Sequence, residues 1–284
     1  MSQFTTRPAS PLDTARVARL SHPTDPMTTE LQTENRGQTL VMRLNGPATR
    51  NALSPQVYAA GIELLNVAES NDEVRAVVLT GQGGHFCGGG DLQRLSQQRL
   101  HDLPGQADKL DAFHQWIEAL RSFPKPVIAA VEGVAAGGGM SLVLACDLVV
   151  AADNAQFRSA YSQVGLSPDG GASWHLTRAL GRSQALGALW LGTPQTAQAW
   201  AAQGLVHRLC PAGQALEEAL ALADELAHVP AGVLASIKEL VNDASSPLRT
   251  QLDAEKQHFM VNLARPEAGA AIDAFLHRRT SPPA

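Results

Sequence analysis

The chain of 284 residues contains only three cysteines, and Cys87, Cys146 and Cys210 are widely spaced and odd in number. That excludes a disulfide framework and a zinc site of the CxxC kind, and it makes a reducing cytoplasm the expected location, with no metal site. Positive charge is also scarce: 22 Lys and Arg against 27 Asp and Glu leave a formal net charge of −5, with no basic block. Binding to a phosphate backbone needs a concentrated basic surface, so nucleic acid is excluded as a principal partner. Long hydrophobic runs are missing. The longest, 126–131 and 140–150, are interrupted before they could cross a bilayer, so no membrane association is expected. No Gly-Lys-Ser/Thr occurs, and Gly81-Gln82-Gly83-Gly84-His85-Phe86 lacks the third glycine of a dinucleotide fingerprint. Ser141 follows three glycines, but Gly139-Met140-Ser141-Leu142-Val143 is not Gly-x-Ser-x-Gly, so Ser141 is read as a small pocket-lining residue.

Glycine, by contrast, is plentiful and concentrated. Two segments stand out, His85-Phe86-Cys87-Gly88-Gly89-Gly90-Asp91-Leu92 and Gly133-Val134-Ala135-Ala136-Gly137-Gly138-Gly139-Met140-Ser141. Each follows a β-like run and precedes a helix-like one, so each can expose free backbone N–H groups where negative charge is favoured. A single glycine run is ordinarily turn architecture. Two that face one pocket would form an oxyanion hole, which points to chemistry on a carbonyl.

The first thirty residues, rich in Ser, Thr and Pro, show no sustained period and read as a flexible extension; Met27 is a plausible alternative start. Residues 31–210 read as an α/β core and 211–284 as a helical C-terminal region. From Gln38 onward strand and helix signals alternate: strands over 39–44, 75–79, 126–131 and 147–151, with helices over 56–70, 107–122 and 138–145. Ser54-Pro55 supplies an N-cap with proline at the first helical position. The segment 92–110 is irregular and reads as a loop. Later helices are predicted over 182–191, 193–203, 214–227, 231–244 and 248–264, with a strand near 205–209. The regular alternation implies βαβ crossovers over a buried sheet.

Several ordered motifs together resemble the crotonase (enoyl-CoA hydratase/isomerase) superfamily. They are Leu44-Asn45-Gly46-Pro47, Arg50-Asn51-Ala52-Leu53, Val77-Val78-Leu79-Thr80-Gly81, Phe86-Cys87-Gly88-Gly89-Gly90-Asp91-Leu92, Lys125-Pro126-Val127-Ile128-Ala129-Ala130-Val131 and Gly137-Gly138-Gly139. The resemblance runs from about Gln38 to the C-terminus. It implies a ClpP/crotonase-like spiral of ββα units with a helical C-terminal trimerisation region, assembled as a homotrimer or a dimer of trimers. It also implies an acyl-CoA thioester substrate, from fatty or aromatic acid metabolism, and no cofactor beyond the coenzyme A that the substrate carries. The two hole amides would be those of Gly90 and Gly138. The CoA moiety would lie near Arg50, Ala52, Gly88, Asp91 and Leu92. Arg50 is either a phosphate contact or a solvated arginine, and Asp91 is best read as the cap of the helix after it.

Hydratases of this superfamily use two glutamates, and at the matching positions this chain has Ser141 and Tyr161. Neither can replace a carboxylate as a base near neutral pH. The segment Ser167-Pro168-Asp169-Gly170-Gly171 instead resembles the branch in which an aspartate follows the proline, which includes isomerases of phenylacetate-type pathways. Asp169 is thus the expected acid/base; read without that context, it would be turn chemistry or a helix N-cap. One carboxylate suffices for proton transfer between two carbons, whereas hydration must also activate water, so isomerisation of an enoyl- or ring-modified acyl-CoA is favoured. Three alternatives stay open. One is hydration by a variant acid/base pair. Another is aryl-CoA hydrolysis or dehalogenation by Asp169 with His114 as base, against the plain reading of His114 as a helical surface histidine. The third is a non-catalytic acyl-CoA binder.

Overall fold

A computed structural model describes residues 28–280. Most of the expected extension therefore lies outside the described residues, as does Met27. The end of that segment is structured: Thr29 is buried, and Glu30 opens β1 (Glu30–Arg36), which pairs antiparallel with β2 (Thr39–Asn45). β1 escapes sequence reading because its polar residues, Glu-Leu-Gln-Thr-Glu-Asn-Arg, cover a sheet edge with no apolar alternation to betray it.

Ser54 then caps α1 (Pro55–Glu69), its hydroxyl accepting the Val57 N–H, and the chain returns as β3 (Ala76–Gly81). Next come α2 (Leu92–His101), where a loop was expected, and α3 (Leu103–Ser122), which begins four residues before the helix expected over 107–122. Weak apolar periodicity hides α2 and the first turn of α3; their starts are set by Asp91, which accepts from Gln93 and Arg94 N–H, and by Asp102, which accepts from Gly105 N–H. β4 (Val127–Val131) leads through β5 (Val134–Ala136) into α4 (Gly138–Ala145), then β6 (Leu148–Ala152) and β7 (Gln156–Arg158). α5 (Ala172–Leu180) and α6 (Arg182–Leu191) follow. The helix expected over 193–203 is split into β8 (Gln195–Thr196) and α7 (Ala197–Ala202), because Thr196 is extended and caps the helix after it. β9 (Arg208–Cys210) and the helices α8 (Ala215–Ala227), α9 (Ala231–Asn242), α10 (Leu248–Leu263) and α11 (Pro266–Thr280) complete the described chain.

The main sheet has the order β1-β2-β3-β4-β6-β9, parallel from β2 onward, and β5, β7 and β8 form a second sheet. Alternate side chains of each central strand enter two cores. Val77, Leu79, Val127, Ala129 and Val131 pack toward α1, α3 and α4, while Ala76, Val78, Ile128, Ala130 and Val150 pack under α8. A parallel sheet buried on both faces reads as continuous apolar runs, which is why β3 and β4 were visible in the sequence. Each Val or Leu so buried contributes roughly 1.5–3 kcal/mol, enough to hold the strand ends that carry the glycine segments in fixed register.

Candidate active site

The two glycine segments meet at the C-terminal ends of β3 and β4. Cys87 pairs with Ala135 of β5, with Phe86 N–H donating to Val134 O (3.1 Å) and Ala136 N–H donating to Cys87 O (2.9 Å). On the other side Leu53 pairs with Gly90, Gly88 N–H donates to Arg50 O and Leu53 N–H to Gly89 O (both 2.8 Å). The Arg50–Leu53 motif, the first glycine segment and β5 are therefore three adjacent strands. Asn51 locks them: it is fully buried, its Oδ1 accepts Gly46 N–H (2.9 Å), and its Nδ2 donates to Gln82 O and His85 O (both 2.9 Å). Arg50 and Asn51 hold this arrangement in the left-handed region, with φ of 55° and 58°, a strained conformation maintained by those bonds.

Gly89, with φ of 92°, brings the first segment against the second. A Cβ there would lie 2.8 Å from Ala136 O and 3.3 Å from Gly138 N. Gly138 is the first residue of α4, so its N–H precedes the first intrahelical bond, Ser141 N–H to Gly137 O (3.1 Å), and points outward as a helix N-terminal donor. A Cβ on Gly90 would meet nothing within 4 Å, because that residue borders open space.

The open space is a cavity of about 650 Å³ lined by Arg50, Ala52, Gly88, Gly90, Asp91 and Leu92, among others. Six residues singled out in the sequence thus share one wall. Asp91 has the expected capping role, Oδ1 accepting from Gln93 N–H (2.9 Å) and Arg94 N–H (3.1 Å). His85 also lines this cavity, and its buried Nδ1 has no hydrogen-bond partner.

Gly138, Ser141, Tyr161 and Asp169 gather in a second cluster at the start of α4. Ser141 is fully buried; its hydroxyl donates to Asp169 O (3.0 Å) and lies 3.3 Å from the Tyr161 hydroxyl. Tyr161 donates to Asp169 Oδ1 at 2.5 Å. Asp169 is not a helix cap: α5 starts at Ala172, its N-cap is Gly171, and no side chain caps it. Burial raises the Asp169 pKa, while the Tyr161 hydrogen bond and the charge of His114 oppose the shift. Tyr161 is itself driven far up, first by burial and then by the neighbouring carboxylate, so its hydroxyl is a permanent donor. Gly170 packs where a Cβ would strike Phe113 Cε1 at 2.5 Å and Ser141 Cβ at 2.8 Å, which brings α3 to the cluster. His114, the next residue, is exposed on α3 and hydrogen-bonds neither Asp169 nor Tyr161.

Sequence reading missed the aromatic wall. Tyr58 of α1 and Phe113 of α3 stand 5.1 Å apart, and a Cβ on Gly138 would lie 3.1 Å from Leu53 Cδ1 and 3.4 Å from Phe113 Cζ. Burial pushes the Tyr58 phenol up to about 12, with Arg94 pulling it down and the Asp169 charge adding to the rise. The only signal for these residues in the sequence was helical spacing of apolar positions, which equally describes any core. Among the described residues no group of three or more His, Cys, Asp or Glu is placed to hold a metal ion.

Comparison with known proteins agrees with this geometry. Residues 34–282 match the family described as Enoyl-CoA hydratase/isomerase. The chain is 34% identical to 1,2-epoxyphenylacetyl-CoA isomerase of Escherichia coli, over 85% of this chain and 93% of that one. It is also 34% identical to 2,3-dehydroadipyl-CoA hydratase of the same organism, over 88% and 97%. A solved structure of an enoyl-CoA hydratase from Polaromonas sp. JS666 is 51% identical and superposes with a TM-score of 0.86, covering 89% of this chain and 98% of that one. With its crotonase fold and its paired glycine segments, the chain belongs to the enoyl-CoA hydratase/isomerase family and is an acyl-CoA enzyme.

Proposed function

We propose that this enzyme isomerises an enoyl- or ring-modified acyl-CoA by proton transfer through an enolate, with Asp169 as the single acid/base. The thioester oxygen accepts the N–H groups of Gly90 and Gly138. Asp169 takes a proton from carbon, the C–H electron pair moves into the enolate, and the same carboxyl returns the proton to a different carbon. Fixed amides at the N-terminus of α4 stabilise the negative oxygen without reorganising. The CoA portion of the substrate occupies the cavity wall of Arg50, Ala52, Gly88, Asp91 and Leu92, and the protein needs no other cofactor.

The observation that carries this reading is the environment of Asp169. Its carboxylate meets Tyr161 beside Ser141 at the start of α4, and its raised pKa brings it closer to the working range of a general base. The positions at which hydratases carry glutamates hold those two hydroxyl residues. The exposure of His114 and its lack of a bond to Asp169 speak against a nucleophile–base pair for hydrolysis. Of the two relatives at 34% identity one is an isomerase and the other a hydratase, and the 51% identical structure is called a hydratase. Hydration is therefore the second reading.

A panel of β,γ-enoyl, α,β-enoyl and aryl acyl-CoA esters separates these outcomes by product mass. An unchanged mass with a moved double bond, lost in Asp169→Asn, supports the proposal. Gain of water supports hydratase, loss of halide supports the hydrolytic branch, and full activity in Asp169→Asn refutes the mechanism. No helix among the described residues is by itself long and apolar enough to cross a membrane. The helices α9–α11 leave Ile237, Val241, Phe259, Met260 and Ile272 exposed, which suits assembly into a trimer or pair of trimers in the cytoplasm.

A further inference from the structure

Tyr161 has a feature that the loss of a glutamate at its position does not explain. The Tyr161 hydroxyl is buried and committed to Asp169. Resting on the isomerase reading of Asp169, we infer that Tyr161, seconded by Ser141, is a positioning residue that fixes Asp169 Oδ1 and so reserves Oδ2 for the substrate.

Asp169 sits in a turn between Pro168 and two left-handed glycines, Gly170 and Gly171. Two hydrogen bonds hold its backbone carbonyl, and one from a side chain holds its carboxyl. Ser141 Oγ donates to the Asp169 carbonyl at 3.0 Å, Ala172 N–H donates to the same carbonyl at 3.2 Å, and Tyr161 Oη donates to Oδ1 at 2.5 Å. Oδ2 has no hydrogen-bonding side chain among the described residues. The Tyr161 ring is held over the second glycine segment, 3.9 Å from where a Gly137 Cβ would be, and the Gly137 N–H donates to Arg158 O at 2.9 Å. The donor that orients the base thus packs against the segment that carries the hole amide of Gly138. A carboxylate with one oxygen held and one open abstracts and returns a proton from a fixed point, which is what transfer between two carbons of one substrate demands.

The polar groups around Asp169 are few: Tyr161 in the turn after β7, Ser141 from α4, His114 from α3, and Tyr58 from α1 with Arg94 beyond it. Of these side chains only Tyr161 and Ser141 bond to Asp169, and only Tyr161 bonds to its carboxylate, which otherwise has its own backbone N–H, so the removal of Tyr161 has a signature distinct from that of His114. A hydrogen bond to the ionised form lowers a carboxyl pKa; losing it raises the pKa.

The test uses the full chain as wild type, Tyr161→Phe and Ser141→Ala, with Asp169→Asn to assign the Asp169 carboxyl signal in carbon-13 NMR. In Tyr161→Phe the titration midpoint of that carboxyl is expected to rise by on the order of one pH unit. With β,γ-hexenoyl-CoA as probe, the acidic limb of kcat/KM should move with it, kcat should fall roughly tenfold or more, and KM should stay within about twofold. Ser141→Ala should move both readouts the same way by less. An unmoved midpoint in folded Tyr161→Phe overturns the inference, and so does a loss confined to KM. The NMR titration needs no turnover, so it decides the role of Tyr161 even if Asp169→Asn stays active and the isomerase reading falls.

Discussion

Replacing Gly89 with alanine should damage catalysis far more than substrate binding. Gly89 has φ of 92°, where an L-residue costs about 1–3 kcal/mol in a fold that tolerates it. The added Cβ would also sit 2.8 Å from Ala136 O, which must open by about 0.6 Å to reach ordinary contact at 3.4 Å, and 3.3 Å from Gly138 N. Both neighbours are backbone, so no side-chain rotation relieves the contact. The first glycine segment must then move away from α4, separating the N–H groups of Gly90 and Gly138. Loss of one oxyanion donor costs about 2.7–4 kcal/mol, or a factor of 10²–10³ in kcat. A displacement of several tenths of an ångström at both donors should cost on the order of a hundredfold. The control is Gly213→Ala, where φ is 85° but a Cβ meets nothing within 4 Å, so it carries strain without the collision. Steady-state kinetics on the best substrate of the panel, with thermal melting of both variants, provides the assay. If Gly89→Ala keeps wild-type kcat while melting like Gly213→Ala, the two segments do not form one hole and the reasoning fails.

Three further outcomes follow from the buried charges and thiols. Burial raises the Asp169 pKa in the folded state, so the ionised carboxylate destabilises the fold above that pKa and the penalty disappears as pH falls. Asp169→Asn should therefore melt higher than wild type at neutral pH, with the gap narrowing as the pH is lowered; a constant or reversed gap would contradict the assignment of burial as the main cause. Cys87 is fully buried, and burial pushes its thiol up to about 12, while Cys146 and Cys210 are also buried and raised. A thiol reagent should label none of the three in the native protein and all three in denaturant, and rapid native labelling of Cys87 would show that the hole segment opens. Lys238 Nζ lies 2.8 Å from Asp147 Oδ2, an atom that also accepts Val127 N–H at 2.8 Å, and it donates to Leu120 O at 3.2 Å. Lys238→Met leaves Asp147 with only the Val127 N–H and the Arg121 charge to offset its burial and should cost about 2 kcal/mol in denaturant unfolding, less than for a fully buried pair because both groups keep some solvent. A change below a few tenths would mean water replaces the lysine.

What the sequence showed and what it hid divide along physical lines. Helices α1, α4, α6 and α8–α10, most of α3, and the strands β2, β3, β4 and β6 were visible because local pattern and burial coincide: continuous apolar runs in doubly covered strands, the Ser54 cap of α1, glycines flanking α6 and prolines before α9 and α10. The small sheet of β5, β7 and β8 was invisible because strands of two or three residues carry no period, and their partners are set by the main sheet. The same holds at the site. Gly90, Gly138 and Asp169 could be named from motif order, whereas Tyr58 and Phe113 meet beside Gly138 only because α1 and α3 pack together there, a fact that spacing along either helix cannot express. Asp169 illustrates the limit best. In sequence, Pro-Asp-Gly-Gly permits a helix cap and a catalytic base equally, since both need an aspartate in a turn before a helix. The fold removes the cap: no side chain caps α5, and the Asp169 carboxylate instead meets Tyr161 eight residues earlier, while Ser141 on another element holds the Asp169 carbonyl. The two residues that stand where the resemblance places a hydratase's glutamates are therefore the two side chains that hydrogen-bond Asp169, a pairing that only the packing of α4 against the turn before α5 brings about.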